Sequence, residues 1–162
     1  MKFLIINGPN LNMLGVREPD VYGRRTLASI EADVASYGAQ RGVQVDCFQS
    51  NHEGELVDRL HQAHGVYDGI VYNPGAHTHY SYALRDAVGS IDVPVRAVSV
   101  IAPACVAQVK GLGAAGYRVA LDLLLEGARD RLGEGFERRA QGKVIVGTPE
   151  GPLVKPVDGR EG

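Results

Sequence analysis

Short apolar runs alternate with amphipathic segments over most of the chain. The segment Lys2–Asn7 is largely apolar and ends at Asn-Gly-Pro, which is typical of a strand buried on both faces of a parallel sheet. Residues 43–48 and 69–73 predict two further strands. Between them, apolar residues spaced three and four apart predict two helices, and these residues are Leu27, Ile30, Val34, Tyr37, Leu56, Val57, Leu60 and Ala63. Strict alternation of strand and helix predicts a parallel sheet covered on both faces.

The segments that follow a third predicted helix, at 79–89, do not fit this alternation. Residues 93–101 (VPVRAVSVI) and 105–110 (CVAQVK) both have the pattern of a strand, but only residues 102–104 separate them. A crossover between parallel strands needs about a dozen residues, so the two runs are not expected to be ordinary parallel neighbours. Either they form a hairpin-like or bent unit, or a crossover element is missing, and we favour the missing crossover.

A chain of 162 residues with 44% hydrophobic residues has the size of a single globular domain. After about residue 126 the composition changes to Gly, Arg and Glu, with one short apolar run at 143–146. We therefore predict a folded domain at 1–126 and a C-terminal extension at 127–162, which is partly mobile unless its apolar run pairs with another strand.

Charge and cysteine content argue against several classes of partner. The formal net charge is -2, so there is no basic field to attract nucleic acid or an anionic membrane. Cys47 and Cys105 are too few for a disulfide framework or a zinc cluster, which favours a reducing compartment, and we expect the cytoplasm. No apolar segment has the length of a signal-peptide core or a membrane span.

Polar side chains are concentrated in the loop after the first strand. Parallel α/β sheets bind ligands at the carboxyl ends of their strands, and this loop carries the amides of Asn7, Asn10 and Asn12. It also carries the guanidinium of Arg17 and the phenol of Tyr22. The alternative is a solvated loop stabilised by Asx turns.

A second polar cluster, Asn73-Pro-Gly-Ala-His-Thr-His79, follows the third strand. Amides and a helix N-terminus suit an anion, and Thr78 or His79 would then bind a hydroxyl or an anionic group. The spacing of His77 and His79 suggests a metal, but no further ligand lies nearby to complete a set, so no metal site is predicted. A histidine that only caps a helix is the alternative.

A glycine pattern of the dinucleotide-binding type occurs at Gly111, Gly113 and Gly116. It lies late in the chain and no complete strand–helix–strand unit follows it. A tight turn that allows close helix packing is the simpler interpretation, and a nucleotide-binding module is the weakest hypothesis.

The two polar loops carry a family resemblance. The stretches LIINGPNLNMLGVREPDVYG, QSNHEGELVDRLHQA, YNPGAHTHYSYALRDAV and SVIAPACVAQVKGLGAAGY resemble the type II 3-dehydroquinate dehydratases over residues 1–98 and again over about 99–125. The resemblance implies a flavodoxin-like α/β sandwich with strand order 2-1-3-4-5, assembled as trimers and dodecamers. It also implies the cofactor-free anti elimination of water from 3-dehydroquinate through an enolate, giving 3-dehydroshikimate in the shikimate or quinate pathway.

Three catalytic residues follow from the resemblance. Tyr22 would be the base that removes the proton beside the ketone, and Arg17 would lower the pKa of its phenol from the ordinary value of about 10. Asn10 would hold the water that stabilises the enolate. The resemblance further implies that Asn73 and His79 bind the substrate, while Asp86 lines the site of a neighbouring subunit.

The chain departs from the family where the family has Glu-Val-His and an Arg-rich segment. Ala97 stands in the place of the glutamate, and no histidine occurs after His79. Ser99 either replaces the family's histidine or belongs to the region after the gap. A general acid is typically worth about 10² to 10⁴ in rate, so activity would be weak unless His77, Arg96 or Ser99 compensates. The alternative to an active hydro-lyase is therefore a weak or inactive paralogue with a binding or regulatory role.

Overall fold

The computed structural model of the chain describes residues 1–16, 25–98, 107–110, 112–132, 143–148 and 151–156. The strands in these ranges are β1 Lys2–Asn7, β2 Gln44–Gln49, β3 Gly69–Asn73, β4 Val95–Ala97, β5 Ala107–Lys110, β6 Lys143–Thr148 and β7 Gly151–Pro156. The α-helices are α1 Leu27–Ala39, α2 Glu53–Ala63, α3 Tyr82–Gly89 and α4 Ala115–Leu132. Short 3₁₀ turns occupy Leu11–Met13 and Gly75–His79.

The strands form one sheet in the order β2-β1-β3-β4-β5-β6-β7. The first four strands are parallel and have the order 2-1-3-4 with helices on both faces, which confirms the predicted flavodoxin-like class. The chain adds β2 on one side of β1 and β3 on the other, so the order reverses at β1. Open α/β sheets bind their ligands beside such a reversal, at the carboxyl ends of the strands.

The pairing of β4 with β5 decides between the two alternatives that the sequence left open. The two strands are parallel, with Arg96 opposite Ala107 and Ala97 opposite Gln108, although only residues 98–106 connect them. The hairpin-like alternative was therefore wrong, while the favoured interpretation, a crossover between strands 4 and 5 that is shortened or missing, agrees with this pairing. An extended chain covers about 3.3 Å per residue, so nine residues suffice to return along strands of three and four residues. The connection between β4 and β5 is short, as the sequence predicted.

The apolar run at 143–146 also lies in the sheet. It forms part of β6, which pairs in parallel with β5, and β7 then pairs antiparallel with β6. Helix α4 continues past residue 126 to Leu132.

Two apolar layers cover the sheet because side chains alternate along each buried strand. Leu4 and Ile6 of β1 face α2 and α3, while Phe3 and Ile5 face α1 and α4. All four side chains are buried. Helix α4 covers β3 closely, since a β-carbon on Gly69 would stand 2.8 Å from a methyl group of Leu124.

Helix α3 begins later than the sequence pattern predicted. The prediction placed its start near His79, but the helix begins at Tyr82, after a separate 3₁₀ turn at Gly75–His79. The hydroxyl of Ser81 accepts a hydrogen bond from the backbone N–H of Leu84 at 3.0 Å, which is the bond of an N-cap residue. His79 therefore lies before the helix cap and not at the N-terminus of α3.

Candidate functional site

The loops that follow β1 and β3 meet at the carboxyl edge of the sheet. The backbone N–H of Gly8 donates to the carbonyl of Asn73 at 2.7 Å. A β-carbon on Gly8 would stand 2.6 Å from the carbonyl carbon of Pro74, so only glycine fits there. Gly75 has φ of 58° and lies against Pro9. The two sequence-predicted polar loops are thus packed directly against each other.

Asn10 occupies a left-handed backbone conformation, with φ of 67°, before the 3₁₀ turn at Leu11–Met13. Asparagine tolerates this conformation better than most residues. The side-chain oxygen of Asn51 accepts from the Asn10 backbone N–H at 3.0 Å, and Gln49 donates to the same oxygen at 3.0 Å. The exposed amide of Asn10 makes no cap hydrogen bond, so it remains available to a ligand.

Asn73, at the end of β3, is partly buried and has a restrained amide. Its Nδ2 donates to the hydroxyl of Tyr117 at 2.8 Å, and its Oδ1 accepts from the backbone N–H of Gly75 at 3.1 Å. Each atom of this amide keeps one further hydrogen-bonding position. The amide can therefore bind a ligand while it stays attached to the fold.

Tyr117 connects Asn73 to Asn7 across the switch point. Its hydroxyl donates to Oδ1 of Asn7 at 2.7 Å, and Nδ2 of Asn7 donates to Glu31 at 3.1 Å. Both Tyr117 and Asn7 are buried. Burial raises the pKa of Tyr117 to about 12, so its phenol is neutral over the physiological range. Burial likewise raises the pKa of Glu31 above its ordinary range, against the opposing effect of the Asn7 hydrogen bond.

Sequence reasoning missed Tyr117 and Glu31. The signal for Tyr117 was the glycine pattern before it, because Gly113 adopts φ of 50° in the turn that precedes α4. Gly116 is buried in the first turn of that helix. The turn and the start of α4 therefore explain Gly113 and Gly116, and no bound nucleotide is needed to explain them.

The histidines after β3 differ in exposure. His79 is exposed at the end of its 3₁₀ turn, and its ring makes no hydrogen bond to the described residues. His77 is buried, and among those same residues its Nδ1 has no hydrogen-bond partner. The ring of His77 packs edge-to-face against Tyr80, with centroids 5.6 Å apart. The predicted substrate ligand His79 is thus accessible.

Asp86 lies on the outer face of α3. The buried face of this helix carries Leu84, Ala87 and Val88, while Asp86 and Tyr82, one turn earlier, are exposed. The carboxylate therefore points away from the core of its own chain and is open to another molecule.

Two predicted site residues, Arg17 and Tyr22, lie outside the described residues. Within the ranges that are described, no three histidine, cysteine or acidic side chains are grouped as a metal site would require. In the same ranges, no helix combines the length and apolar character of a membrane span.

The chain is similar to known proteins over most of its length. The profile of the family "Dehydroquinase class II" matches residues 1–125. A 3-dehydroquinate dehydratase of Bacillus mycoides is 50% identical over 143 residues, which covers 80% of this chain and 98% of that protein. The crystal structure of a type II dehydroquinase from Butyrivibrio crossotus has a TM-score of 0.74 and 40% identity, covering 77% of this chain and 97% of that one. A type II dehydroquinase from Propionibacterium acnes has a TM-score of 0.73 and 32% identity, with 77% and 96% covered.

The alignment lengths indicate a deletion in this chain. The match to the Bacillus mycoides protein extends over 143 positions, but 80% of 162 residues is only about 130. About 13 positions of that relative therefore have no counterpart here. This number is compatible with the missing crossover that the sequence analysis favours after Val98.

Proposed function

The chain belongs to the class II dehydroquinase family, and from this we propose that it is a 3-dehydroquinate dehydratase, a hydro-lyase that forms 3-dehydroshikimate and water. The observation that carries the proposal is the junction of the loops after β1 and β3. It brings the predicted ligands Asn10, Asn73 and His79 to the carboxyl edge of the sheet beside the point where the strand order reverses.

The reaction needs a base strong enough to remove a proton from a carbon next to a ketone. We assign this role to Tyr22, as a phenolate, with the Arg17 guanidinium favouring the charged form. The electron pair of the broken C–H bond moves into the ring ketone and forms an enolate. A water held by the exposed amide of Asn10 would donate a hydrogen bond to this oxyanion. The enolate then re-forms the ketone and a carbon–carbon double bond. The C–O bond on the carbon next to the deprotonated one breaks, and its hydroxyl leaves as water after it gains a proton.

Substrate binding is assigned to the other predicted residues. Asn73 has a free amide hydrogen and a free acceptor position, which suit the hydroxyls of a cyclic polyol. The exposed imidazole of His79 suits a hydroxyl or a carboxylate. Asp86 would act in the site of a neighbouring subunit in a trimer or dodecamer, and its exposure on α3 is compatible with this role. The biosynthetic substrate favours a cytoplasmic location.

A second function is favoured by the apparent deletion of about 13 positions. The family's general acid belongs to the segment that this chain lacks, so protonation of the leaving hydroxyl would fall to solvent or to a substitute such as His77. Loss of a general acid slows a reaction by about 10² to 10⁴. A slow enzyme, or a paralogue that binds the substrate without turnover, is the corresponding alternative.

A steady-state assay with 3-dehydroquinate separates these possibilities. Product formation is followed by the absorbance of the enone, in parallel with a version of the chain that carries the missing segment restored from a relative. We expect slow turnover by the wild type, a gain of about 10² or more on restoration, and loss of turnover in Tyr22→Phe. Binding without turnover in both versions would favour the paralogue, and the absence of both binding and turnover would refute the proposal.

A further inference from the structure

A series of hydrogen-bonded side chains crosses the switch point beneath the candidate site. It runs from Glu31 on α1 through Asn7 on β1 and Tyr117 on α4 to Asn73 on β3. Its last member reaches Gly75 in the loop that carries His79. Four separate elements therefore meet through three side-chain hydrogen bonds of 2.7 to 3.1 Å.

The direction of each bond in this chain follows from the groups involved. Oδ1 of Asn7 can only accept, so the single hydroxyl proton of Tyr117 is committed to it. The Tyr117 oxygen is then left with acceptor positions, and only an N–H can complete the next bond. The Asn73 side chain consequently places Nδ2, and not Oδ1, towards Tyr117.

We propose that Tyr117 is a positioning residue for the reaction, which sets the orientation of the Asn73 amide so that its remaining N–H meets a substrate hydroxyl. This inference rests on the proposed function. A phenol buried in this way can hold the Asn73 amide in one orientation, because its side chain has few rotamers and is packed in the apolar layer around α4. Without the Tyr117 hydroxyl, Nδ2 of Asn73 would lose its acceptor, and the amide would be held only by the hydrogen bond from the Gly75 N–H to Oδ1.

Tyr67 is a matched control at the opposite edge of the sheet. It is also buried, and its hydroxyl both donates to Asp46 at 2.7 Å and accepts from Arg59 at 2.9 Å. Tyr67→Phe and Tyr117→Phe each remove one buried hydroxyl with two partners, so they are expected to weaken the fold similarly. Only Tyr117→Phe disturbs the site.

The test compares Tyr117→Phe, Tyr67→Phe, Asn73→Ala and the double variant Asn73→Ala/Tyr117→Phe in the full chain. Turnover of 3-dehydroquinate and binding of quinate, which lacks the ketone, are measured for each. We expect Tyr117→Phe to lower kcat/KM, or the affinity for quinate if turnover is too slow to measure, by about 10-fold to 100-fold. Tyr67→Phe is expected to have little effect, and Tyr117→Phe to add nothing in the Asn73→Ala background. Equal losses in Tyr117→Phe and Tyr67→Phe, or an undiminished effect in the Asn73→Ala background, would overturn the proposal.

An NMR readout keeps this inference separate from the proposed function. Of the two side-chain amide protons of Asn73, identified by their loss in Asn73→Ala, the one donated to Tyr117 is expected to be protected from hydrogen exchange in the wild type and in Tyr67→Phe, but not in Tyr117→Phe. If the wild type neither binds quinate nor turns over 3-dehydroquinate, the proposed function fails, while the amide signals still decide whether Tyr117 orients Asn73. Unchanged protection in Tyr117→Phe would reject that role.

Discussion

Gly8 lies so close to Pro74 that a single added methyl group would overlap the backbone of the neighbouring loop. Both partners are fixed at strand ends, because the Gly8 N–H donates to the Asn73 carbonyl. The close contact between the starts of the two loops thus determines how Asn10 and Asn73 are placed relative to each other. The contact between Gly8 and Pro74 can be tested directly.

Gly8→Ala is expected to destabilise the fold by about 3 kcal/mol, the upper end of the cost of overpacking, because backbone atoms must move to admit the methyl group. The control is Gly54→Ala in α2, where an added β-carbon meets nothing within 4 Å. Gly54→Ala should stabilise the helix by up to about 1 kcal/mol. Urea unfolding measures both effects, and equal stability of the two variants would contradict the packing described.

A second prediction concerns the packing of α4 on β3. Leu124→Ala should cost about 2 to 5 kcal/mol, because Leu124 is fully buried. Gly69→Ala should cost about 1 to 3 kcal/mol, because the new methyl group crowds Leu124 and Phe3.

In the double variant the Gly69 methyl group occupies space that Leu124 has vacated, so it should be less destabilised than the two single effects added together, by about 1 kcal/mol. Denaturant unfolding of all four proteins measures this coupling. Strict additivity would show that the two residues are not in contact.

A third prediction concerns acid stability. The Lys2 ammonium, 2.8 Å away, and the Tyr67 hydroxyl lower the pKa of Asp46 from its ordinary 3.8 to about 2. A depressed folded-state pKa stabilises the protein above pH 3.8, and this contribution disappears as the pH falls towards 2. Asp46→Asn should therefore be less stable than the wild type at neutral pH, by about 1 kcal/mol because the pair is partly solvated.

The stability difference between wild type and Asp46→Asn should shrink between pH 4 and pH 2, which urea unfolding at a series of pH values would detect. Lys2→Met removes the main partner and should reproduce part of the same loss. A difference that stays constant over this range would show that Asp46 is not paired in solution.

The fourth prediction concerns the exposed carboxylate of α3. Asp86→Ala should change the stability of the chain by less than about 0.5 kcal/mol, because the side chain lies on the surface. If Asp86 completes the site of a neighbouring subunit, its loss should reduce turnover of 3-dehydroquinate. Mixing unfolded Asp86→Ala and Tyr22→Phe chains before refolding should then restore part of the activity, because some sites receive both native residues. No recovery in the mixture would place Asp86 outside the shared site.

The local pattern of the sequence determined much of this protein. Short apolar runs predicted β1, β2 and β3, and apolar residues spaced three and four apart predicted the helices between them. Each pattern follows from which faces of the element are buried. The polar loops after β1 and β3 were identified as the candidate site, since parallel strands bring their carboxyl ends to one edge. Details such as the start of α3 were less accessible, because the Ser81 cap competes with helix periodicity over only a few residues.

Only the tertiary structure decided which side chains support the site. Tyr117 and Asn7 are 110 residues apart in the chain, and nothing in either local pattern indicates that one donates to the other. Their contact exists because α4 packs back over β1 and β3 on the face that α1 also covers. The parallel pairing of β4 and β5 was likewise decided by the fold, because the length needed for a crossover depends on how short the paired strands are. Sequence periodicity reports which face of an element is buried, but not which distant partner completes a polar group there.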